Sequence, residues 1–504
     1  MQQSKSMQAV AGDFLTIDTL MCAAAEQFAD RDAYVEDGNR LSFAEWLHRS
    51  DAVAIELRAR GVGRGDVVAL MLPSSIDYAV CYAAAMKLGA VTTGLNTRLG
   101  RREVESIFSQ CSPALVIRDE AAGLAQIPAG VAILTRDELP AIYEHSVEDP
   151  PREVCEESDP VTIMWTSGTT GQPKGVFLDH RNMQAIAAAA GPISVPGDRK
   201  LMSTPFVHAG YMAKLWDQIA TASTVVMSPA KWDAEAMLRQ IVEERISVIG
   251  AVPAQWEKLV LLPELATADL SSVRVGTVAT APARPELVEA VKSAIGCPLI
   301  VRYAMTESPS ICGTDPDDSP EVQFRTVGKP QYGMEISVAA EPGEVGVVRI
   351  RGGCVMRGYW NAPDLTAQAF DEDGWLVSGD LGYVREDGNL VIAGRATDMY
   401  IRGGYNIYPA EVEAVLALHP GVARVSVVGT PAPVIGEIGV AFVIPNDPAQ
   451  PPGLDELREL VRKELADYKA PDWIEVVSEL PVNAMHKVNK RTLRELAASL
   501  DIKR

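Results

Sequence analysis

The sequence has no C-x-x-C pair, although it carries seven cysteines, at Cys22, Cys81, Cys111, Cys155, Cys297, Cys312 and Cys354. The odd count and wide spacing argue against a disulfide framework and a zinc-ligand pattern, and predict reduced, mostly buried thiols. No stretch approaches the ~20 apolar residues that a membrane span requires. Met1 to Phe14 is polar and lacks the apolar run of a secretory signal. A soluble, cytoplasmic protein is expected. Positive charge is also scarce: 46 Lys and Arg against 67 Asp and Glu give a formal net charge of −21. That balance argues against nucleic acid or an anionic membrane as the main partner, since both reward clustered Lys and Arg. The deficit is uneven, because the stretch from Asp398 onward holds 12 Lys and Arg against 15 Asp and Glu. Solubility accounts for such an excess without further function. No internal repeat or low-complexity tract is visible.

What the 504 residues do contain is ample apolar material, 47%, so a core can form without metal or disulfide staples. Length alone suggests about three domains, or one large and one small. Short apolar runs alternate with helical stretches: VVALML at 67–72, VTIMW at 161–165, and further runs at 247–252 and 273–278. Strands alternating with helices imply parallel sheets with helical covers. Beyond about residue 325 the strands at 345–351, 376–377 and 390–393 are separated by Gly, Asp and Asn without long helices, which predicts an antiparallel, barrel-like part. A smaller α+β unit follows Arg395–Asp398. In it Pro409 opens a helix where its missing N–H does no harm. The fold expected is therefore α/β: parallel sheets with helical covers, then a β-barrel-like subdomain and a small α+β C-terminal domain.

The most informative segment is Thr166-Ser167-Gly168-Thr169-Thr170-Gly171-Gln172-Pro173-Lys174-Gly175, directly after the VTIMW strand. Its glycines reach backbone conformations closed to other residues. Successive N–H groups can then form a concave nest for anionic oxygens. The hydroxyls of Thr166, Ser167, Thr169 and Thr170 add donors, and Lys174 adds a positive charge. This is chemistry for a polyphosphate. It is not a Walker loop, since Pro173 stands where that motif needs glycine.

This loop resembles the signature of the adenylate-forming (ANL) superfamily, which contains the acyl-CoA synthetases. Further matches follow in the same order along nearly the whole chain. Tyr303-Ala304-Met305-Thr306-Glu307 resembles Y-G-x-T-E. The resemblance implies Tyr303 against adenine, Thr306 on the α-phosphate and Glu307 on Mg²⁺. Ser378-Gly379-Asp380 resembles T-G-D, with Asp380 accepting from the ribose hydroxyls. Arg395, in Gly394-Arg395-Ala396-Thr397-Asp398, would contact ribose and phosphate. Gly403-Gly404-Tyr405 lies in a stretch similar to G-G-x-N-x-x-P-x-E-V-E, which in the family lets the pantetheine arm pass close to the backbone. Pro481-Val482-Asn483-Ala484-Met485-His486-Lys487 resembles P-x-N-x-x-G-K, making Lys487 the adenylation lysine. His208 stands where the family carries a gate beside the acyl pocket, and a structural histidine is an equal reading. Trp256 and Ala279-Thr280-Ala281-Pro282 are candidates for the pocket wall.

The resemblance implies an AMP-forming acyl-CoA synthetase that uses ATP, Mg²⁺ and coenzyme A. A carboxylate attacks the α-phosphorus of ATP, and the thiol of coenzyme A then takes the acyl group from the adenylate. It also implies a large N-terminal domain of residues 1–396, made of two α/β subdomains plus a β-barrel-like subdomain, a small mobile α+β lid of 397–504, and a hinge at Thr397. Two departures fall on that machinery: Thr397 replaces the usual Asp or Lys, and His486 replaces Gly before the lysine. They leave open a protein specialised for thioester formation from an acyl-adenylate supplied by another enzyme. A carrier-protein acceptor and a nucleotide-binding regulator without turnover are the remaining alternatives. The sequence names neither the acid nor the oligomeric state.

Overall fold

The computed structural model describes residues 7–500, apart from 98, 121–126, 128–129, 168–172, 230–231, 279–284, 342, 404, 434 and 483–487. Its chain divides into two compact units: Met1–Ile336 with Ile350–Leu376, and Ser337–Arg349 with Val377–Arg504.

The first unit holds two large sheets. The seven-stranded one runs, edge to edge, through Gly358–Tyr359, Pro173–Asp179, Pro160–Ser167, Val91–Gly94, Val67–Met71, Leu115–Arg118 and Ala132–Thr135. The last five pair in parallel, and the first two add antiparallel edges. All five residues of Val67–Met71 are buried, which is why this strand reads as a continuous apolar run rather than an alternation. The nine-stranded sheet is parallel through Asp32–Glu36, Thr224–Met227, Arg199–Met202, Val248–Ala251, Val275–Val278 and Leu299–Met305. Antiparallel strands close both its ends. The two sheets are the two α/β subdomains that the family resemblance implies, and their parallel strands are those expected from the alternating pattern.

Helices cover these sheets and declare their starts in sequence. Phe43–Ala59 opens with a capping box. The Glu45 N–H donates to the Ser42 hydroxyl at 3.2 Å, and the Ser42 N–H donates to the Glu45 carboxylate at 2.9 Å. Ile76–Lys87 is capped by Ser75 and is buried along nearly its whole surface. It ends on Lys87, which is only 1% exposed and pairs with Asp18 at 2.9 Å and Asp51 at 3.0 Å. Arg152 reaches the same two carboxylates, at 2.5 and 3.1 Å. Removing one member of a buried ion network strands its partners without water. Lys87→Met is therefore expected to lower unfolding stability by about 3–5 kcal/mol in a urea titration. A loss below about 1 kcal/mol would mean that Arg152 alone satisfies both carboxylates.

The second unit carries most of a four-stranded sheet in the order Met334–Ala339, Gly346–Gly352, Leu376–Val384, Leu390–Arg395, where the sequence predicts the barrel-like part. Its C-terminal half is a five-stranded sheet built on the long antiparallel pair Val422–Ala432 and Gly436–Pro445. Successive side chains on a strand face opposite ways. Accordingly Val427, Ala441 and Val443 pack beneath the helices Pro409–Leu416 and Leu454–Glu464. Val428, Val440 and Phe442 pack on the other side with Leu493 and Ala497 of the helix Lys490–Ser499. Among the described residues no helix is long and apolar enough to cross a membrane.

Candidate active site

In the first unit the signature loop joins two strands whose ends are in register, Thr166 opposite Lys174 and Ser167 opposite Pro173. Gly168, Thr169, Thr170 and Gly171 lie outside the described residues. Gly175 is glycine because of crowding: a Cβ there would come within 2.9 Å of Ile163 and 3.0 Å of the Trp165 ring. Its carbonyl accepts from the Trp360 N–H at 2.6 Å. That bond belongs to a short antiparallel pairing in which Tyr359 lies opposite Val176.

This pairing gives the site a residue that sequence reading missed. The Tyr359 ring sits 5.1 Å from the Lys174 ammonium, a cation–π contact. Its hydroxyl donates to Glu307 Oε1 at 3.1 Å. Burial, and the Glu307 carboxylate beside it, raise the Tyr359 hydroxyl far above its ordinary pKa, so it stays a donor. One aromatic side chain thus connects the lysine of the signature loop to the carboxylate of the Tyr303–Glu307 motif.

Thr306 and Glu307 form the two-residue turn between Leu299–Met305 and Ser308–Gly313, with Met305 opposite Ser308. Both are half-buried. The Met356 N–H donates to the Glu307 carbonyl at 2.8 Å and fixes the turn from behind. Tyr303 lies in the same hairpin, directly opposite Cys312. His208 precedes the short helix Ala209–Met212, and its carbonyl accepts from the N–H groups of Tyr211 and Met212, both at 2.9 Å. Trp256 is fully buried in the core of the nine-stranded sheet, its Nε1 donating to the Thr277 carbonyl at 3.2 Å. It is a packing residue there. The segment Ala279–Pro282 lies outside the described residues.

The remaining assigned residues are in the second unit. Asp380 is buried and faces Arg395 across an antiparallel pair, Nε to Oδ1 at 3.2 Å. Arg395 is otherwise exposed. Two residues on, Arg494 of the C-terminal helix donates to the Thr397 carbonyl at 2.9 Å and pairs with Asp398 at 2.6 Å. Gly403 opens the tight turn between Tyr400–Arg402 and Tyr405–Ile407, and its φ of +58° is the left-handed conformation that glycine tolerates best. Tyr405 is 54% exposed and stacks on Tyr468 with centroids 4.2 Å apart. Gly404, Lys487 and His486 lie outside the described residues.

The geometry of the first unit suits a bound polyphosphate: a lysine at the mouth of a glycine-rich loop and a carboxylate able to carry a divalent cation, held by one shared tyrosine. Comparison with known proteins agrees. The family described as AMP-binding enzyme matches residues 22–360, and the AMP-binding enzyme C-terminal domain matches 411–487. Long-chain-fatty-acid–CoA ligase FadD13 of Mycobacterium tuberculosis (strain ATCC 25618 / H37Rv) is 33% identical over 92% of this chain and 95% of that protein. Feruloyl-CoA synthase of an Amycolatopsis species is 33% identical over 91% of this chain and 94% of its own length. ATP-bound MatB from Rhodopseudomonas palustris superposes with a TM-score of 0.86 at 26% identity, covering 96% of this chain and 99% of MatB.

Proposed function

The chain belongs to the AMP-binding enzyme family and is an AMP-forming acid–CoA ligase; from that premise we propose which of its groups perform the two half-reactions. The observation that carries the proposal is the line Lys174–Tyr359–Glu307, which fixes a cation and an anion at the ends of two separate hairpins.

In the first half-reaction the substrate carboxylate attacks the α-phosphorus of ATP and pyrophosphate leaves. Such transfers depend mainly on positioning and charge stabilisation. The N–H groups of residues 167–171 and the Lys174 ammonium hold the polyphosphate. Thr306 donates to the α-phosphate, Tyr303 lies against adenine, and Asp380 with Arg395 holds the ribose. Lys487 is the group assigned to stabilise the charge that develops between carboxylate and α-phosphate. Glu307 holds Mg²⁺. Among the described residues no group of three His, Cys, Asp or Glu surrounds a metal. A single carboxylate, completed by phosphate oxygens and water, is the donor set that Mg²⁺ ordinarily takes. When bound, Mg²⁺ neutralises charge on the polyphosphate.

In the second half-reaction the thiol of coenzyme A attacks the acyl carbon and AMP leaves. The turn at Gly403 and Gly404, with Tyr405, receives the pantetheine arm, because glycine lets a ligand approach the backbone. Thr397 is the hinge at which residues 397–504 exchange one role for the other; a hinge needs only a few residues that absorb a φ/ψ change. The Arg494 contacts on Thr397 and Asp398 supply a local hold on that hinge. His208 gates the acyl side.

The test is coenzyme A thioester formation, followed by mass spectrometry over a broad panel of carboxylic acids. Each acid is offered with Mg·ATP and again as its pre-formed acyl-adenylate. Thioester from both is the expected result. Product from the adenylate alone would assign adenylation to another enzyme and place the cause at Thr397 or His486. Product from neither, with a carrier protein accepting the acyl group instead, would overturn free coenzyme A as the acceptor.

A further inference from the structure

Tyr359 joins two groups of the site, and the segment that delivers it is held from several directions. Arg357 reaches the buried Asp179, Nε to Oδ2 at 2.7 Å. Asn182, in the first turn of the helix His180–Ala188, donates to the carbonyls of Gly353 at 2.8 Å and Val355 at 2.9 Å. The Tyr359 N–H donates to the Thr366 hydroxyl at 2.9 Å. The same segment holds Glu307, whose carbonyl accepts from the Met356 N–H at 2.8 Å. One strip of backbone thus places the Tyr359 hydroxyl against the Glu307 carboxylate, so the contact is built in advance of any ligand.

That contact leaves the carboxylate half engaged. Among the described residues Glu307 has one side-chain partner, the Tyr359 hydroxyl on Oε1 at 3.1 Å. No described Lys or Arg forms an ion pair with it, although Lys174 contacts the same tyrosine. The Lys174 ammonium lies instead over the Tyr359 ring, 5.1 Å from its centroid. A direct Lys174–Glu307 pair would satisfy the carboxylate with a fixed cation. Here Oε1 accepts from a neutral hydroxyl, and Oε2 is left for a cation that arrives with the polyphosphate.

We propose that Tyr359 is a positioning residue that decides which divalent cation the site accepts: with Oε1 engaged by the hydroxyl, Glu307 meets the cation through Oε2 alone. The proposal rests on the reading of Glu307 as the metal-holding residue and deepens it. Mg²⁺ requires near-ideal octahedral geometry and is held by few protein carboxylates. Ca²⁺ takes about six to eight oxygens in a looser shell and accepts both oxygens of one carboxylate. A carboxylate restricted to one oxygen therefore suits Mg²⁺ and penalises Ca²⁺.

The experiment follows Mn²⁺, a spectroscopic stand-in for Mg²⁺, by electron paramagnetic resonance as it binds the enzyme with α,β-methylene ATP, a nucleotide that cannot release pyrophosphate. Mg²⁺ and Ca²⁺ then compete for the site in the wild-type enzyme, in Tyr359→Phe and in Glu307→Gln. Tyr359→Phe removes the hydroxyl and keeps the aromatic ring. Corrected for each ion's affinity for free nucleotide, the wild-type enzyme should prefer Mg²⁺ to Ca²⁺ by about tenfold or more, the scale of one hydrogen bond to a charged group. Tyr359→Phe should lose most of that preference. Ca²⁺ should also inhibit Mg²⁺-supported pyrophosphate exchange more strongly in Tyr359→Phe than in the wild-type enzyme. The wild-type ratio needs no variant, and a wild-type enzyme indifferent between the two ions would overturn the proposal. An unchanged ratio in Tyr359→Phe, with Mn²⁺ binding weakened by Glu307→Gln, would make the hydroxyl a brace of the hairpin and overturn the proposal alone. Mn²⁺ binding unaffected by Glu307→Gln would bring down the metal role of Glu307, and the proposal with it.

Discussion

Replacing Lys487 with alanine is expected to slow adenylate formation by roughly 10²–10³-fold, the cost of removing one preorganised charge-stabilising donor. Thioester formation from a supplied acyl-adenylate should survive in the same variant. The asymmetry follows from where charge develops. In the first half-reaction a carboxylate approaches an anionic phosphate, and an ammonium between them attracts both. In the second, a thiol attacks a neutral acyl carbon and the mixed anhydride is already in place. The ends of the segment that bears Lys487 are firmly held. Val482 and Val488 pair across an antiparallel bridge, and the Asn489 N–H donates to the Pro481 carbonyl at 2.8 Å. Just beyond, Lys490 pairs with Glu413 at 2.8 Å, and Glu413 also accepts from the Val427 N–H at 2.7 Å. Pyrophosphate exchange into ATP would measure the first step, and AMP release from acyl-adenylate and coenzyme A the second. Exchange at wild-type rate in Lys487→Ala would take the adenylation role away from this lysine. Equal losses in both assays would point to a disturbed second unit instead.

Much of this was legible in the sequence, and the reasons differ from residue to residue. The strand at 160–167 announced itself by its apolar run, and the loop after it by its glycines, of which Gly175 is required by the crowding of Ile163 and Trp165. The five-stranded sheet was legible because one face of Val422–Ala432 and the other serve different helices, so its core is apolar on both sides. Thr306–Glu307 was found only through the motif. A two-residue turn normally signals itself with Asn or Gly, and this one has neither. Tyr359 left no signal at all. It lies 52 positions from Glu307 in sequence, and only the pairing of Gly358–Tyr359 with the edge of the seven-stranded sheet brings them together. Tertiary pairing is the kind of information that local pattern does not contain.

Asp380→Ala is expected to lower kcat/KM for ATP by about 100-fold, as removal of the carboxylate forfeits two charge-assisted hydrogen bonds to ribose, about 3 kcal/mol in all. The carboxylate is prepared for that contact. Asp380 is 5% exposed, and its N–H donates to the Ser378 hydroxyl at 3.1 Å, which in turn donates to the Val348 carbonyl at 2.7 Å. The Ala396 N–H closes on the Gly379 carbonyl at 3.0 Å, so the strand cannot swing the side chain away. Arg395 is 60% exposed, and an ion pair of that kind contributes little to stability, about 0–1 kcal/mol. The loss should therefore fall on nucleotide use rather than on folding. Asp380→Asn, which keeps one acceptor oxygen, should retain part of the activity. Dideoxy-ATP separates a ribose contact from a merely structural aspartate. If Asp380 binds the diol, the variant's penalty shrinks sharply when both hydroxyls are absent from the nucleotide. If the penalty is the same for ATP and for the dideoxy form, Asp380 does not hold the ribose, and its partnership with Arg395 serves the sheet alone.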